Sequence, residues 1–160
     1  MTRFALDRPI RDTLVTLSPA LLRGIDVQFE APAAPEVEAN ETEIQQVVYN
    51  LVLNARDAMP RGGTIQVTAG LETSPIPIRV AGGSLAAGTW ATVVVKDSGT
   101  GIDPAIRDRL FDLFFTTKGE RGTGLGLATV QRIAKASGGG VAVETDPGPG
   151  ATFRVYLPRV

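Results

Sequence analysis

Apolar residues recur every three or four positions from Thr42 to Ala58 and then alternate with polar ones from Thr64 to Leu71, which predicts a helix followed by a strand. In the helix, Ile44, Val47, Val48, Leu51, Ala55 and Ala58 share one stripe. Glu43, Gln46, Asn50, Asn54 and Asp57 form a second stripe, centred roughly 120 degrees round from the first. Elsewhere the same periods predict a helix from Pro9 to Leu22, a short strand near Val27 to Phe29 and a connector from Ala31 to Pro35. Pro60, Gly62 and Gly63 make a turn into the alternating strand. Thr73 to Gly88, rich in Pro, Gly and Ser, reads as a loop before a strand from Trp90 to Lys96. Asp103 and Pro104 suit the cap and first position of a short helix ending near Phe111. A helix from Thr123 to Ala136 stops at Gly138 to Gly140, and strands Val141 to Thr145 and Thr152 to Leu157 flank a Gly/Pro turn. The sum is an α+β, two-layer α/β sandwich, a mostly antiparallel sheet with helices on one face, in a single domain over residues 1–160.

Composition narrows the function. A net charge of −1 provides no field for gripping nucleic acid or an anionic membrane, so neither is expected as a partner, and an anionic ligand must be held by local geometry. There is no cysteine, which excludes disulfides and thiol chemistry and agrees with a cytoplasmic setting. No apolar run approaches the length of a membrane span. Histidine is absent too, which removes imidazole catalysis and self-phosphorylation on that residue.

Four segments carry candidate chemistry. Asn50 and Asn54 lie one helical turn apart, although asparagine is a poor helix-interior residue because its amide competes for the backbone. A neutral carboxamide oxygen suits a hard cation that already carries phosphate oxygens, so this stripe is a candidate for holding Mg2+ with a nucleotide, or else a solvated helix face. Asp97-Ser98-Gly99-Thr100-Gly101-Ile102 follows an apolar strand. A carboxylate there can accept from an exocyclic amine while bare glycine backbone admits a flat ring, which would select adenine over guanine; Asp-x-Gly also makes ordinary turns. Gly122-Thr123-Gly124-Leu125-Gly126-Leu127 opens a helix, where backbone N–H groups and the dipole favour phosphate, or where glycines simply cap. Its spacing matches neither a P-loop nor a dinucleotide fold. Phe111 to Arg121 reads as aromatics anchoring a tail with Lys118 and Arg121, a lid over phosphates or a plain surface loop.

In this order the segments resemble the ATP-binding catalytic domain of sensor histidine kinases, in the superfamily that includes DNA gyrase, MutL-type repair proteins and related chaperones. Asn50-Leu51-x-x-Asn54-Ala55 is similar to the family's N box and Asp97-x-Gly99-x-Gly101-Ile102 to its first glycine box. Phe111 to Phe115 resembles its F box, Gly122 to Leu127 its second glycine box, and Gly148-x-Gly150-Ala151-Thr152-Phe153 its closing turn and strand. The resemblance covers nearly the whole chain and implies the Bergerat fold. It further implies that Asn54 ligates Mg2+, that Asn50 sits beside the phosphates, and that Asp97, with Gly99, Gly101 and Ile102, binds adenine. Lys118, Arg121 and Gly122, Thr123, Gly124, Leu125, Gly126 and Leu127 are expected to hold the triphosphate, with Asp57 and Thr152 also placed at the nucleotide; Asn50 and Lys118 are the expected catalytic residues. Three departures stand out: Leu113 where the F box usually has Pro, Asp57 where many relatives carry a basic residue, and Asn40 in place of a common acidic residue.

Gyrase-like members activate water with a carboxylate one turn before the metal asparagine, a place held here by Asn50, whose amide accepts no proton at pH 7. Hydrolysis is therefore disfavoured against transfer of the γ-phosphoryl group to a nucleophile from elsewhere. By the resemblance that nucleophile is a histidine on a helical dimerisation domain, with a response-regulator receiver domain downstream. The chain then reads as an excised part of a larger kinase. A stand-alone serine kinase of the anti-sigma-factor type and a degenerate nucleotide-gated binding module are the alternatives.

Overall fold

Glu41–Asp57 is the longest helix among the described residues, α2, and its apolar stripe faces the middle of a five-stranded sheet. The computed structural model describes residues 1–112, 126–144 and 150–160. Thr2–Ala5 (β1), Asp7–Thr16 (α1), Ile25–Glu30 (β2) and Glu36–Ala39 (β3) precede α2; Gly63–Ser74 (β4), Ile78–Val80 (β5), Gly83–Leu85 (β6) and Gly88–Asp97 (β7) follow it. A 3-10 helix, Pro104–Arg109, then Gly126–Ala136 (α3), Gly140–Glu144 (β8) and Ala151–Leu157 (β9) complete the order.

The main sheet runs β2-β4-β7-β9-β8, with β2 parallel to β4 and the other pairs antiparallel. Alternation along β4, β7 and β9 buries Ile65, Val67, Ala69, Val93, Val95, Phe153 and Val155. Against them pack Ile44, Val47, Val48, Leu51, Val52 and Ala55 of α2, flanked by α1 and α3. The α+β sandwich with helices on one face is thus the observed architecture. Val52 joins the core stripe beyond the predicted positions because α2 has a helix on each flank, while Ala58, at the C-cap, is only half-buried.

Asn40 caps α2: its side chain accepts from the Glu43 N–H at 3.1 Å, and Glu41 and Glu43 sit in the first turn. Asn40→Ala is expected to cost about 1 kcal/mol of stability, read from urea denaturation, because a helix donor loses its acceptor.

Several local readings are corrected. The first helix ends at Thr16 instead of Leu22, because Pro19 disfavours helical backbone at the residue before it and Leu17 is already extended. A separate two-stranded sheet joins β1 to β3 where no strands were expected. The expected loop from Thr73 to Gly88 is largely ordered, since β4 runs to Ser74 and β5 pairs with β6 as a small hairpin. Asp103 caps as expected, accepting from the Ala105 N–H at 2.9 Å, but the turn that follows is 3-10 and not α.

Candidate nucleotide site

The site starts at the end of β7, the central strand. Asp97 is 3% exposed and on the helix-facing side of the sheet. Its Oδ1 accepts from the Gly99 N–H at 2.9 Å and the Ala151 N–H at 3.3 Å. Burial raises the Asp97 carboxyl above its ordinary value, and the two backbone donors pull it partly back. The other oxygen, Oδ2, has no hydrogen-bond partner among the described residues, which leaves it as the acceptor available to a ligand.

Two glycines make this geometry sterically feasible. A Cβ at Gly99 would stand 2.5 Å from the Ala58 carbonyl oxygen, so the turn can abut the end of α2 only as glycine. Gly150, at φ +100°, lies against the backbone of Asp97, where a Cβ would come within 2.3 Å of its carbonyl oxygen. Ser98 adds a third tie, its hydroxyl accepting from the Thr64 N–H at 3.0 Å and donating to Met59 Sδ at 3.4 Å.

From that turn the polar face of α2 leads away. Asn54 is half-buried and makes no side-chain hydrogen bond to any described residue. Asn50 Nδ2 donates to the Gly126 carbonyl at 3.2 Å, which ties α2 to the first turn of α3. At 1.5 Å rise per residue, Asn50 and Ala58 are about 12 Å apart along the axis. One helix face thus links the Asp97 carboxylate to the start of a helix that follows a glycine run in sequence. Asp57, exposed, is ion-paired at 2.8 Å with Arg56, so the carboxylate on this face has a cation beside it.

Gly101, at φ +80°, and Ile102, which packs on the core, continue the Asp97 turn, and Leu127 anchors the start of α3 in the core. Phe111 meets Phe153 edge to face, with centroids 6.3 Å apart, and so fulfils its expected anchoring role. Leu113, Phe114, Phe115, Lys118, Arg121, Gly122, Thr123, Gly124 and Leu125 lie outside the described residues.

Thr152 does not join the site. It pairs with Lys96 and Glu144, and strand alternation puts it on the sheet face opposite Asp97. The residue that meets Asp97 is Ala151, which sequence reasoning missed; its contribution is a backbone N–H, which no side-chain pattern announces. A separate groove of about 310 Å³ between α1 and α2, lined by Thr13, Thr16, Gln45 and Tyr49 among others, contains none of the residues around Asp97.

No described helix is long and apolar enough to cross a membrane, and no group of three or more acidic, His or Cys residues clusters as a metal cage among the described residues. A cation here would rest on a carboxamide and the ligand's own oxygens, a set that suits Mg2+, and Asn54 is a carboxamide on the site's face with no hydrogen-bond partner among the described residues.

The chain is similar to known proteins in both sequence and fold. Sensor kinase CckA of Brucella abortus is 37% identical over 94% of this chain and 17% of its own length. Sensor histidine kinase ZraS of Escherichia coli is 36% identical over 98% of this chain and 32% of its own. The chain therefore spans less than a third of these curated relatives. The catalytic domain of histidine kinase ThkA superposes with a TM-score of 0.78 at 32% identity, covering 99% of this chain and 97% of that one. Full-length ShkA, solved with AMPPNP, gives 0.76 at 28% identity, covering 99% of this chain and 31% of its own. The family model for histidine kinase-, DNA gyrase B- and HSP90-like ATPases matches residues 39–160. With that match over most of its length, the chain belongs to the histidine kinase-, DNA gyrase B- and HSP90-like ATPases.

Proposed function

We propose that this domain binds Mg-ATP and donates the γ-phosphoryl group to a histidine on a separate dimerisation domain of the same kinase, in two-component signalling with a receiver domain downstream. The observation that carries the reading is the single polar face of α2 running from the Asp97 turn to the start of α3. Adenine would give its exocyclic amine to Asp97 Oδ2, with Gly99, Gly101 and Ile102 around the ring. The phosphates would then extend along α2 past Asn54 to Asn50 and the α3 start at Gly126 and Leu127. Gly122 to Leu125, Lys118 and Arg121 are assigned to the phosphates by the family motif, and Asp57, one turn beyond Asn54 on the same face, is placed at the nucleotide. Thr152 is left out.

Mg2+ at Asn54 would neutralise phosphate charge and fix the γ-phosphoryl orientation. This chain's residues supply positioning. Asn50 is a hydrogen-bond donor to Gly126 and no base, so water at the phosphates meets no proton acceptor on α2 one turn before Asn54. Hydrolysis stays slow, and an imidazole nitrogen, which needs no base to expose its lone pair, attacks γ-phosphorus as the bond to the β-phosphate oxygen breaks and ADP leaves. Full-length ShkA was solved in complex with AMPPNP, which supports nucleotide binding by a protein of this kind, and the curated relatives are sensor kinases several times longer than this chain, which supports a phosphoacceptor on a separate domain.

Calorimetry with ATP, with and without Mg2+ and with GTP as competitor, tests the first half. Binding of ATP strengthened by Mg2+ and not displaced by GTP is expected. Transfer of label from γ-labelled ATP to an acid-labile phosphohistidine on the kinase's own dimerisation domain tests the second. Rapid phosphate release without transfer would replace the kinase by an ATPase.

A further inference from the structure

The small β5–β6 hairpin crosses from the sheet edge to α3, and one residue, Ala81, makes the bridge. The Ala81 N–H donates to the Val141 carbonyl of β8 at 2.8 Å, while the Ala81 carbonyl accepts from Gln131 Nε2 of α3 at 3.2 Å. Val80 seats the hairpin on Gly140, where a Cβ would lie 2.8 Å from Val80 Cγ2. On the other side, Gly82 lies against the same helix, since a Cβ there would lie 3.0 Å from Gln131 Nε2 and 3.1 Å from Lys135 Nζ. Ala81 is therefore gripped on both sides: by the edge strand through its nitrogen and by α3 through its oxygen.

The geometry points to Gln131 as a positioning residue for phosphate binding, with the hairpin a strap that fixes the pitch of α3. α3 is tied to α2 by Asn50 at Gly126 and, more loosely, by Arg132 to Glu43 at 3.7 Å. Those ties set where the helix sits beside α2. The Gln131–Ala81 bond fixes its tilt against the sheet. Gln131 is five residues beyond Gly126, about 7.5 Å along the axis, so a tilt of roughly 10 degrees about it would move the first turn by about 1 Å. Displacement of that size is enough to degrade an interaction built on aligned backbone donors. The strap acts on the phosphate half of the site, because Asp97 is held by Gly99 and Ala151, with which the hairpin shares no hydrogen bond among the described residues, and its link to β7, where Trp90 donates to the Ala86 carbonyl at 2.9 Å, lies at the far end of that strand from Asp97. This rests on the placement of ATP given above.

Gln131→Met keeps length and shape and removes the donor, and Gln131→Glu sets a carboxylate against the Ala81 carbonyl. ATP and adenosine affinities are to be compared for wild type and both variants, ATP by calorimetry and adenosine by ligand-observed NMR. Both variants are expected to weaken ATP about tenfold, the scale of one lost hydrogen bond, with adenosine affinity unchanged within about twofold. Retained adenosine binding also shows that the variants fold. Equal weakening of both ligands would reduce Gln131 to a general stabiliser and overturn the strap, and so would unchanged ATP binding in variants of a wild type that binds ATP. A wild type that binds neither ligand would instead overturn the nucleotide placement, and the strap with it.

Discussion

Asp97→Asn is expected to lose ATP affinity by about 100-fold or more while leaving the domain at least as stable as wild type at pH 7. The loss follows from a reversal of polarity. Asn keeps one acceptor oxygen for Gly99 and Ala151, so its amide nitrogen takes the place of Oδ2 and opposes the adenine amine donor to donor; an acceptor with charge, worth about 1.5–3 kcal/mol, becomes a clash. Stability goes the other way. Burial raises the folded-state pKa of Asp97 above its ordinary 3.8, so the folded domain holds the proton more tightly than the unfolded chain. Stability from the protonated form is complete below about pH 3.8 and is lost as pH rises through the raised value, so at neutral pH the wild type carries a buried charge at a cost. Asparagine removes that cost. Melting curves from pH 3 to 8 should show the variant gaining on the wild type as pH rises, while calorimetry at pH 7 shows the loss of ATP. A variant that keeps ATP affinity would remove Asp97 from the adenine site.

Asn54→Ala is expected to abolish the Mg2+ dependence of ATP binding and to cut phosphoryl transfer by about a thousandfold, since positioning and metal charge supply most of such catalysis. Little should happen to the fold. Asn54 makes no side-chain hydrogen bond to a described residue, so its removal leaves no orphaned partner there, and alanine is the better helix former by about 0.5 kcal/mol. A slightly raised melting temperature together with lost metal dependence would separate function from structure at this residue. Undiminished Mg2+ dependence would move the metal to another ligand.

The placement of α2 was legible because a seventeen-residue amphipathic helix sums many weak signals, and two asparagines inside it break the propensity pattern in a way that draws notice. The Asp97 turn was legible for a similar reason, with a buried strand ending in an acid that two glycines follow. Short strands were not. β1 and β3 have four residues each and exist because they pair across more than thirty positions, and no local pattern encodes that. Pro75 and Pro77 made the stretch after β4 read as loop, yet both precede β5 and neither has to donate to its ladder. Thr152 was misplaced because register decides the face: one residue along β9 separates the strand position against Asp97 from the opposite side of the sheet.

The strand order has a consequence for the newborn chain. β9, the last of the five in sequence, lies between β7 and β8, and it brings Ala151 to Asp97. Until it leaves the ribosome the sheet has a gap beside its central strand, and the Asp97 carboxylate lacks one of its two anchoring donors. ATP is therefore a ligand only of the completed domain: it stabilises the finished fold by mass action and gives no help to the intermediates that precede it.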